Sequence, residues 1–270
     1  MAGACHARRA GGLSFWRDRP ITKARAVART AVSPASFLSR TVTRAARPRI
    51  RPASPGWAAR CVVVALGCAT LQPAAFDNAR FQRAAQARGT VASDGARALQ
   101  ELLASLAGAD DLGRLAAVNR FFNRRIVFAD DVQVWGEEDH WSTPLEVLAQ
   151  GRGDCEDYVI AKYFGLLALG MPTARLRLVY VRAQVGGARA PPQAHMVLAY
   201  YAAPDSEPLV LDNLVAEIRP ASQRRDLEPV FSFNSDGLWQ GVGAQTAGNP
   251  MARLSRWREL LTRVRAEGFE

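Results

Sequence analysis

Apolar residues recur at helical spacing through most of the segment from residue 76 to residue 170. Three stretches, 76–88, 93–106 and 110–122, place apolar side chains three or four residues apart, which predicts three amphipathic helices. Thr143 followed by Pro144 predicts the start of a shorter helix, because threonine caps helices and proline suits the first helical position. These segments carry no chemical motif, so we expect them to serve as packing elements.

Beyond residue 172 the pattern changes to an alternation of polar and apolar positions, which is typical of strands. The strands are predicted at 175–181, 195–201, 209–213, 230–234 and 238–239. An amphipathic helix, 251–267, follows them. Helices followed by an antiparallel meander indicate an α+β fold.

Between the two halves, a glycine-containing loop turns directly into a helix at 151–157. Asp154 is a good N-cap, and the acids that follow suit the positive end of the helix dipole. Apolar residues then recur at helical spacing to residue 169. Cys155 therefore lies in the first turn of a largely buried helix, where the dipole favours a thiolate. A small buried hydrophobic residue is the alternative interpretation of this cysteine.

A histidine and an aspartate on the predicted strands provide a candidate base and a candidate orienting carboxylate. His195 begins one strand and Asp212 ends the next, and adjacent antiparallel strands can bring such positions side by side. Cys155 would be the nucleophile, His195 would accept its proton, and Asp212 would hold the imidazole tautomer. The alternatives are a structural histidine at the core or its rim and a turn-forming aspartate.

Positive charge is concentrated at the start of the chain, which has 270 residues and a formal net charge of +10. Residues 1–60 hold 13 of the 35 Lys and Arg residues and one of the 25 acids, so the remainder is nearly neutral. This distribution does not support a nucleic-acid-binding domain. Residues 1–56 are predicted to be a disordered basic leader, an organelle transit peptide, or upstream sequence included through a wrongly chosen start codon.

Residues 57–75 contain an apolar run of about 11 residues behind a basic segment. The run is too short for an ordinary membrane span and suits an export signal. A buried strand is one alternative, and a lipid anchor at Cys68 is a less favoured one. If cleavage falls after Cys68, Cys155 is the only cysteine left, so it cannot enter an intramolecular disulfide and stays available as a nucleophile.

Several sequence blocks resemble those of the bacterial transglutaminase-like cysteine proteinases of the LapG type. The blocks are Gly153-Asp154-Cys155-Glu156-Asp157-Tyr158, Ala194-His195-Met196-Val197-Leu198, Leu211-Asp212-Asn213, the segment from Trp135 to Pro144, and Val230-Phe231-Ser232-Phe233-Asn234. The resemblance covers about residues 75–260. It implies a papain/transglutaminase-like α+β domain over 76–270, with helices packed on an antiparallel sheet and a triad of Cys155, His195 and Asp212.

Enzymes of this family are periplasmic and calcium-dependent, and they cut large surface adhesins near the N-terminus at a di-alanine site, which releases biofilm cells. A membrane receptor for cyclic di-GMP sequesters them through its periplasmic domain. The resemblance implies the same location, substrate and partner here. Trp135 and Trp141 are predicted to line the substrate cleft or the partner surface, with buried packing as the alternative. An acyl or amide transferase and a non-catalytic binding module on this fold remain open.

The calcium requirement of the family has candidate ligands beside the cysteine. Asp154, Glu156 and Asp157 offer the hard oxygen atoms that Ca²⁺ prefers, and the resemblance favours Asp154 and Asp157 most. Helix capping and dipole stabilisation are the alternative roles for these positions. Asp139, from the upstream loop, is a further candidate ligand.

Overall fold

The computed structural model describes residues 76–187, 189–243 and 246–269. The predicted leader, 1–56, and the predicted export signal, 57–75, lie outside the described residues. The helices are α1 (Asn78–Arg88), α2 (Thr90–Ser105), α3 (Asp111–Arg125), α4 (Asp131–Val134), α5 (Pro144–Gln150), α6 (Cys155–Ala168), α7 (Pro250–Arg253) and α8 (Ser255–Ala266). Within the described ranges, no helix is both long and apolar enough to cross a membrane.

The helix starts follow local capping chemistry. Asp110 caps α3 by accepting a hydrogen bond from the Gly113 N–H at 2.8 Å. At α5, Thr143 and Glu146 form a reciprocal capping box, as the threonine–proline pair predicts. The second helix begins at Thr90 rather than near residue 93, directly after Gly89, whose φ of 108° breaks the chain away from α1.

The strands are β1 (Val127–Phe128), β2 (Arg152–Gly153), β3 (Leu176–Ala183), β4 (Gln193–Tyr200), β5 (Leu209–Leu211), β6 (Arg219–Pro220), β7 (Leu227–Phe233), β8 (Leu238–Gln240) and β9 (Thr246–Gly248). Short 3₁₀ turns at Thr173–Arg175 and Ala221–Gln223 precede β3 and follow β6. The first two strands pair in parallel, just ahead of α6. The other strands form one sheet in the order β6-β5-β4-β3-β7-β8-β9.

Every neighbouring pair in the larger sheet is antiparallel. The sheet departs from a simple meander, because β7 returns to pair with the free side of β3 after β4, β5 and β6 have extended the other side. The α+β prediction is confirmed, while the strand order is more complex than the predicted meander. The fold places β4 and β5 side by side, with Leu198 opposite Leu211.

The central helix is α6, whose residues from Cys155 to Leu166 are all buried. It contacts β3 and β4 on one side and α3 and α5 on others. A helix that is buried on all sides belongs to the interior of a domain. An aromatic cluster around Trp257, which has no exposed surface, joins α6 to α8 and the sheet through Tyr163, Phe164 and Phe233. The helix that begins at Cys155 is therefore anchored within the core.

Candidate active site

Cys155 is the first residue of α6, and its side chain is buried. Asp154 caps the helix, since its Oδ1 accepts a hydrogen bond from the Glu156 N–H at 3.2 Å. The sulfur of Cys155 lies 2.8 Å from Oε2 of Glu156. The helix dipole favours a thiolate at this position, while the neighbouring carboxylate disfavours one, so the local charge balance decides the reactivity of the sulfur.

The other three cysteines of the sequence, Cys5, Cys61 and Cys68, all lie outside the described residues. The expectation of an available thiol is conditional on cleavage after Cys68, and it stays a prediction. Nucleophilic chemistry at Cys155 requires the reduced thiol.

The structure brings His195 and Asp212 into direct contact. Nε2 of the histidine, on β4, lies 2.8 Å from Oδ1 of the aspartate, which immediately follows β5. The backbone N–H of Leu214 donates to the same oxygen at 3.0 Å. Burial opposes the ionisation of Asp212, but its hydrogen bonds to His195 and Arg224 outweigh this cost and hold its pKa well below the usual range. Because an ionised carboxylate only accepts hydrogen bonds, Nε2 carries a proton and Nδ1 is left as the basic nitrogen.

Glu156 contacts the cysteine and is influenced by the charge of the histidine. Its Oε2 contacts the sulfur of Cys155, and its carboxyl group interacts electrostatically with His195. Burial is the largest influence on Glu156 and raises its pKa, against the opposing hydrogen bonds and the attraction of His195. The ionisation state of Glu156 therefore affects both Cys155 and His195.

A second group of acids adjoins the cysteine. Asp131, Asp154 and Asp157, here called the acidic cluster, each place a carboxylate oxygen within 4.8 Å of the others, and all three side chains are buried. Burial raises the pKa of Asp131 to about 7, although the His140 N–H donates to it. Burial and then mutual repulsion raise the pKa of Asp154 well above its ordinary value, and burial does the same for Asp157.

Two oxygens of the acidic cluster are buried without a hydrogen-bond partner among the described residues: Oδ1 of Asp131 and Oδ2 of Asp157. Their sister oxygens are each held by one backbone N–H, from His140 at 2.6 Å and from Ser142 at 2.8 Å. Buried carboxylate oxygens that lack donors are costly unless a cation binds them. The donor set, hard oxygens from three acids, fits Ca²⁺.

The cluster differs in membership from the predicted calcium ligands. Asp154 and Asp157 belong to it, whereas Glu156 groups with Asp154 and Cys155 instead. Asp131 was not predicted as a ligand, and its only sequence signal was a pair of adjacent acids in a polar segment near Trp135. Asp139 is not a member of either group. It pairs with Arg256 at 2.6 Å and accepts from Trp141 Nε1 at 3.1 Å.

The two predicted surface tryptophans have different environments. Trp141 is buried and stacks on Phe233, with ring centroids 5.8 Å apart, so it occupies the packing role that was its alternative. Trp135 is half-buried and stacks on the ring of His140, with centroids 4.3 Å apart. Only Trp135 keeps surface that a substrate or partner could contact in this structure.

A cysteine at the start of a buried helix, beside an antiparallel sheet that carries a histidine–aspartate pair, defines the papain/transglutaminase class of cysteine peptidases. Within that class, residues 70–226 match the family model of the bacterial transglutaminase-like cysteine proteinases. This chain belongs to that family. No protein in a search of curated sequences matches the chain.

Solved structures give the same result. Legionella pneumophila LapG is 37% identical over 70% of this chain and 97% of its own, with a TM-score of 0.60. An EGTA-treated form of that protein matches at 37% identity, over 70% of this chain and 97% of its own, with a TM-score of 0.62. A calcium-bound form matches at 36% identity, over 69% of this chain and 98% of its own, with a TM-score of 0.61.

Proposed function

We propose that this protein is a calcium-dependent periplasmic cysteine endopeptidase that cleaves a large surface adhesin near its N-terminus, at a di-alanine site, and so promotes release from biofilms. The observation that carries the proposal is the buried contact between His195 and Asp212, with His195 on β4, a strand that adjoins the helix begun by Cys155. The similarity to Legionella pneumophila LapG supports this choice of substrate over other peptides.

In the proposed mechanism, the reduced Cys155 transfers its proton to Nδ1 of His195. The thiolate attacks the carbonyl carbon of the scissile bond, and the backbone N–H of Cys155 stabilises the oxyanion. As the C–N bond breaks, Nδ1 of His195 donates its proton to the leaving amine. The same nitrogen then takes a proton from water, which hydrolyses the acyl-enzyme. Asp212 stays ionised throughout and holds the ring by its Nε2–H.

Calcium would be held by the acidic cluster of Asp131, Asp154 and Asp157, with Glu156 as a further candidate. The support is the pair of buried carboxylate oxygens that lack hydrogen-bond donors among the described residues, together with the calcium-bound form of the similar Legionella protein. When bound, the ion supplies positive charge that offsets the acids next to Cys155. That change in charge would lower the free energy of the thiolate relative to the thiol.

The proposed partners are the adhesin itself and the periplasmic domain of a membrane receptor for cyclic di-GMP, which would sequester the protease. This part of the proposal is supported by the family relationship alone. Half-buried Trp135, in the loop next to the acidic cluster, is the residue that we expect a substrate or the receptor to contact. Its replacement by alanine should weaken receptor binding, measured by calorimetry, while the fold is retained.

The test is cleavage of an adhesin N-terminal fragment by the reduced protein, with products identified by mass spectrometry. Three conditions are compared: the wild type, the wild type with a calcium chelator, and Cys155→Ala. We expect a cut at a di-alanine site in the first condition and none in the other two. Cleavage that survives Cys155→Ala would exclude the thiol mechanism. An amine adduct or crosslink in place of a cut would identify a transferase, and binding without any product would identify a binding module.

A second arm tests the metal ligands. Asp131→Asn should weaken calcium binding in a titration calorimeter, because it removes one charged ligand from the acidic cluster. The matched control is Asp94→Asn, since Asp94 is an exposed aspartate of α2 that pairs with Arg97. Equal calcium affinity in the two variants would exclude Asp131 as a calcium ligand.

A further inference from the structure

We propose that Arg224 is a positioning residue that fixes Asp212 and, through it, the orientation and tautomer of His195. Its Nη2 donates to Oδ2 of Asp212 at 2.7 Å, on the opposite carboxylate oxygen from the one that contacts His195. The claim that Arg224 affects catalysis rests on the proposed function. The claim that Arg224 fixes the His195 ring rests on the contacts alone.

Each oxygen of Asp212 has a defined partner. Oδ1 is shared by His195 Nε2 and the Leu214 N–H, and Oδ2 accepts from Arg224. The backbone oxygen of Asp212 also accepts a hydrogen bond from the Asn123 side chain at 2.8 Å. If Arg224 were lost, Oδ2 would be buried without this donor, and the carboxylate would be freer to rotate about its last side-chain torsion. Rotation would move Oδ1 away from the imidazole.

Arg224 is itself held in place. The side chain is almost fully buried, with 3% of its surface exposed. Its Nε donates to Oδ1 of Asp226 at 3.0 Å, and its Nη2 donates to Oδ2 of the same residue at 2.7 Å. This forked contact fixes the plane of the guanidinium group. The guanidinium group of Arg224 therefore donates one N–H to Asp212 from a direction that is fixed by Asp226.

The charges around Asp212 are consistent with this role. His195 approaches from β4, Lys162 interacts with it electrostatically from α6, and Asp226 lies on the far side of Arg224. Buried Asp212 and partly exposed Asp226 would repel each other if no cation lay between them. Arg224 supplies that cation, and a guanidinium does so with two directed hydrogen-bonding faces, which a lysine ammonium cannot reproduce.

The experiment uses the full chain, reduced and labelled with ¹⁵N-histidine, at a pH where His195 is neutral. The ¹⁵N shifts of the two ring nitrogens report which one carries the proton, and His195→Gln assigns the signal. We expect the wild type to hold the Nε2–H tautomer and Arg224→Met to show a mixture. Arg224→Lys should restore part of the tautomer preference, because it returns the charge without the fork. Arg182→Met is the control, since Arg182 is exposed and pairs with Glu228 on the same sheet.

Adhesin cleavage provides a second readout. Arg224→Met should lower kcat by about tenfold to 100-fold, the range for partners that orient a functional histidine, with little change in KM. If Arg224→Met does not fold, Asp226→Asn tests the same chain of contacts, because Asp226 is partly exposed and should tolerate the change. It should shift the tautomer in the same direction by a smaller amount.

The two hypotheses can fail separately. A wild type that cuts no adhesin but loses its tautomer preference on Arg224→Met would remove the proposed function and keep the positioning role. A folded Arg224→Met protein with the wild-type tautomer and the wild-type kcat would overturn the positioning role. A lowered melting temperature with an unchanged tautomer would assign Arg224 to stability alone.

Discussion

Replacing Lys162 with methionine should stabilise the protein at neutral pH. Lys162 lies on α6 with no exposed surface, and its Nζ has no hydrogen-bond partner within the described part of the chain. Its Nζ lies over the ring of Tyr158, 5.7 Å from the ring centroid. Burial lowers the pKa of Lys162 from its ordinary 10.5 to about 7, and attraction to Asp212 opposes this only in part. A methionine has a similar length and carries no charge to desolvate.

The magnitude follows from the two pKa values of this lysine. Between about pH 7 and 10.5 the unfolded chain binds the proton that the folded chain releases, so stability rises with pH across this window. At about 1.4 kcal/mol for each pKa unit, the penalty is about 4 kcal/mol at pH 7 and falls to about 1 kcal/mol at pH 10. The stability gained by Lys162→Met should therefore shrink by about 3 kcal/mol between these two pH values.

The assay is urea unfolding of the reduced wild type and Lys162→Met at four pH values from 7 to 10. The quantity compared is the difference in free energy of unfolding, since other titrating groups are common to both proteins. Lys162→Arg is the informative control, because an arginine cannot release its proton and should be destabilising at every pH tested. A difference between wild type and Lys162→Met that stays constant with pH would refute the buried, titrating lysine.

Three further substitutions test the local geometry. In Gly153→Ala, the new Cβ would lie 2.5 Å from Oδ2 of Asp157, so calcium affinity measured by calorimetry should fall. The control is Gly108→Ala, which has open space around the new Cβ and should leave calcium affinity unchanged. Thr143→Ala removes the capping box of α5 and should cost about 1 to 2 kcal/mol in denaturant unfolding; no loss would show that water replaces the cap. Trp257→Ala should cost about 3 to 5 kcal/mol, because the side chain is fully buried, and a value under about 1 kcal/mol would mean that the cavity collapses.

The fold was predictable wherever the decisive interactions are local. The caps at Asp110 and Thr143 and the alternation of 175–181 involve residues within a few positions of one another, and the structure has α3, α5 and β3 at these places. Strand order was less predictable, because β7 pairs with β3 across the 43 residues from 184 to 226, and no local pattern encodes that choice. The terminal helix divides at Leu254, whose extended backbone separates α7 from α8, although the apolar period continues through it.

The residues of the candidate site were likewise predictable where they lie close together in sequence and not where they come from distant segments. One short block of sequence contains Asp154, Cys155 and Asp157. Their chemistry can be predicted from these residue types at the start of a helix. Asp131 and Arg224 were missed, because each acts on the site from a distant part of the sequence. In the sequence alone, a buried arginine cannot be told from an exposed one. Only the contact with Asp212 in the structure distinguishes Arg224. Adjacent acids on a polar loop likewise give no sign of which one is buried.

Charge balance links these residues to the chemistry of Cys155. The sulfur adjoins Glu156 and the acidic cluster, so negative charge on its own side opposes a thiolate. The helix dipole opposes that effect, whereas His195 is already paired with Asp212. Positive charge added at the acidic cluster is therefore the change that would tip the thiol toward its reactive form. If the acidic cluster binds Ca²⁺ as proposed, a calcium requirement would reflect the electrostatics of the nucleophile, and chelation should reduce the rate of Cys155 alkylation even when no substrate is present.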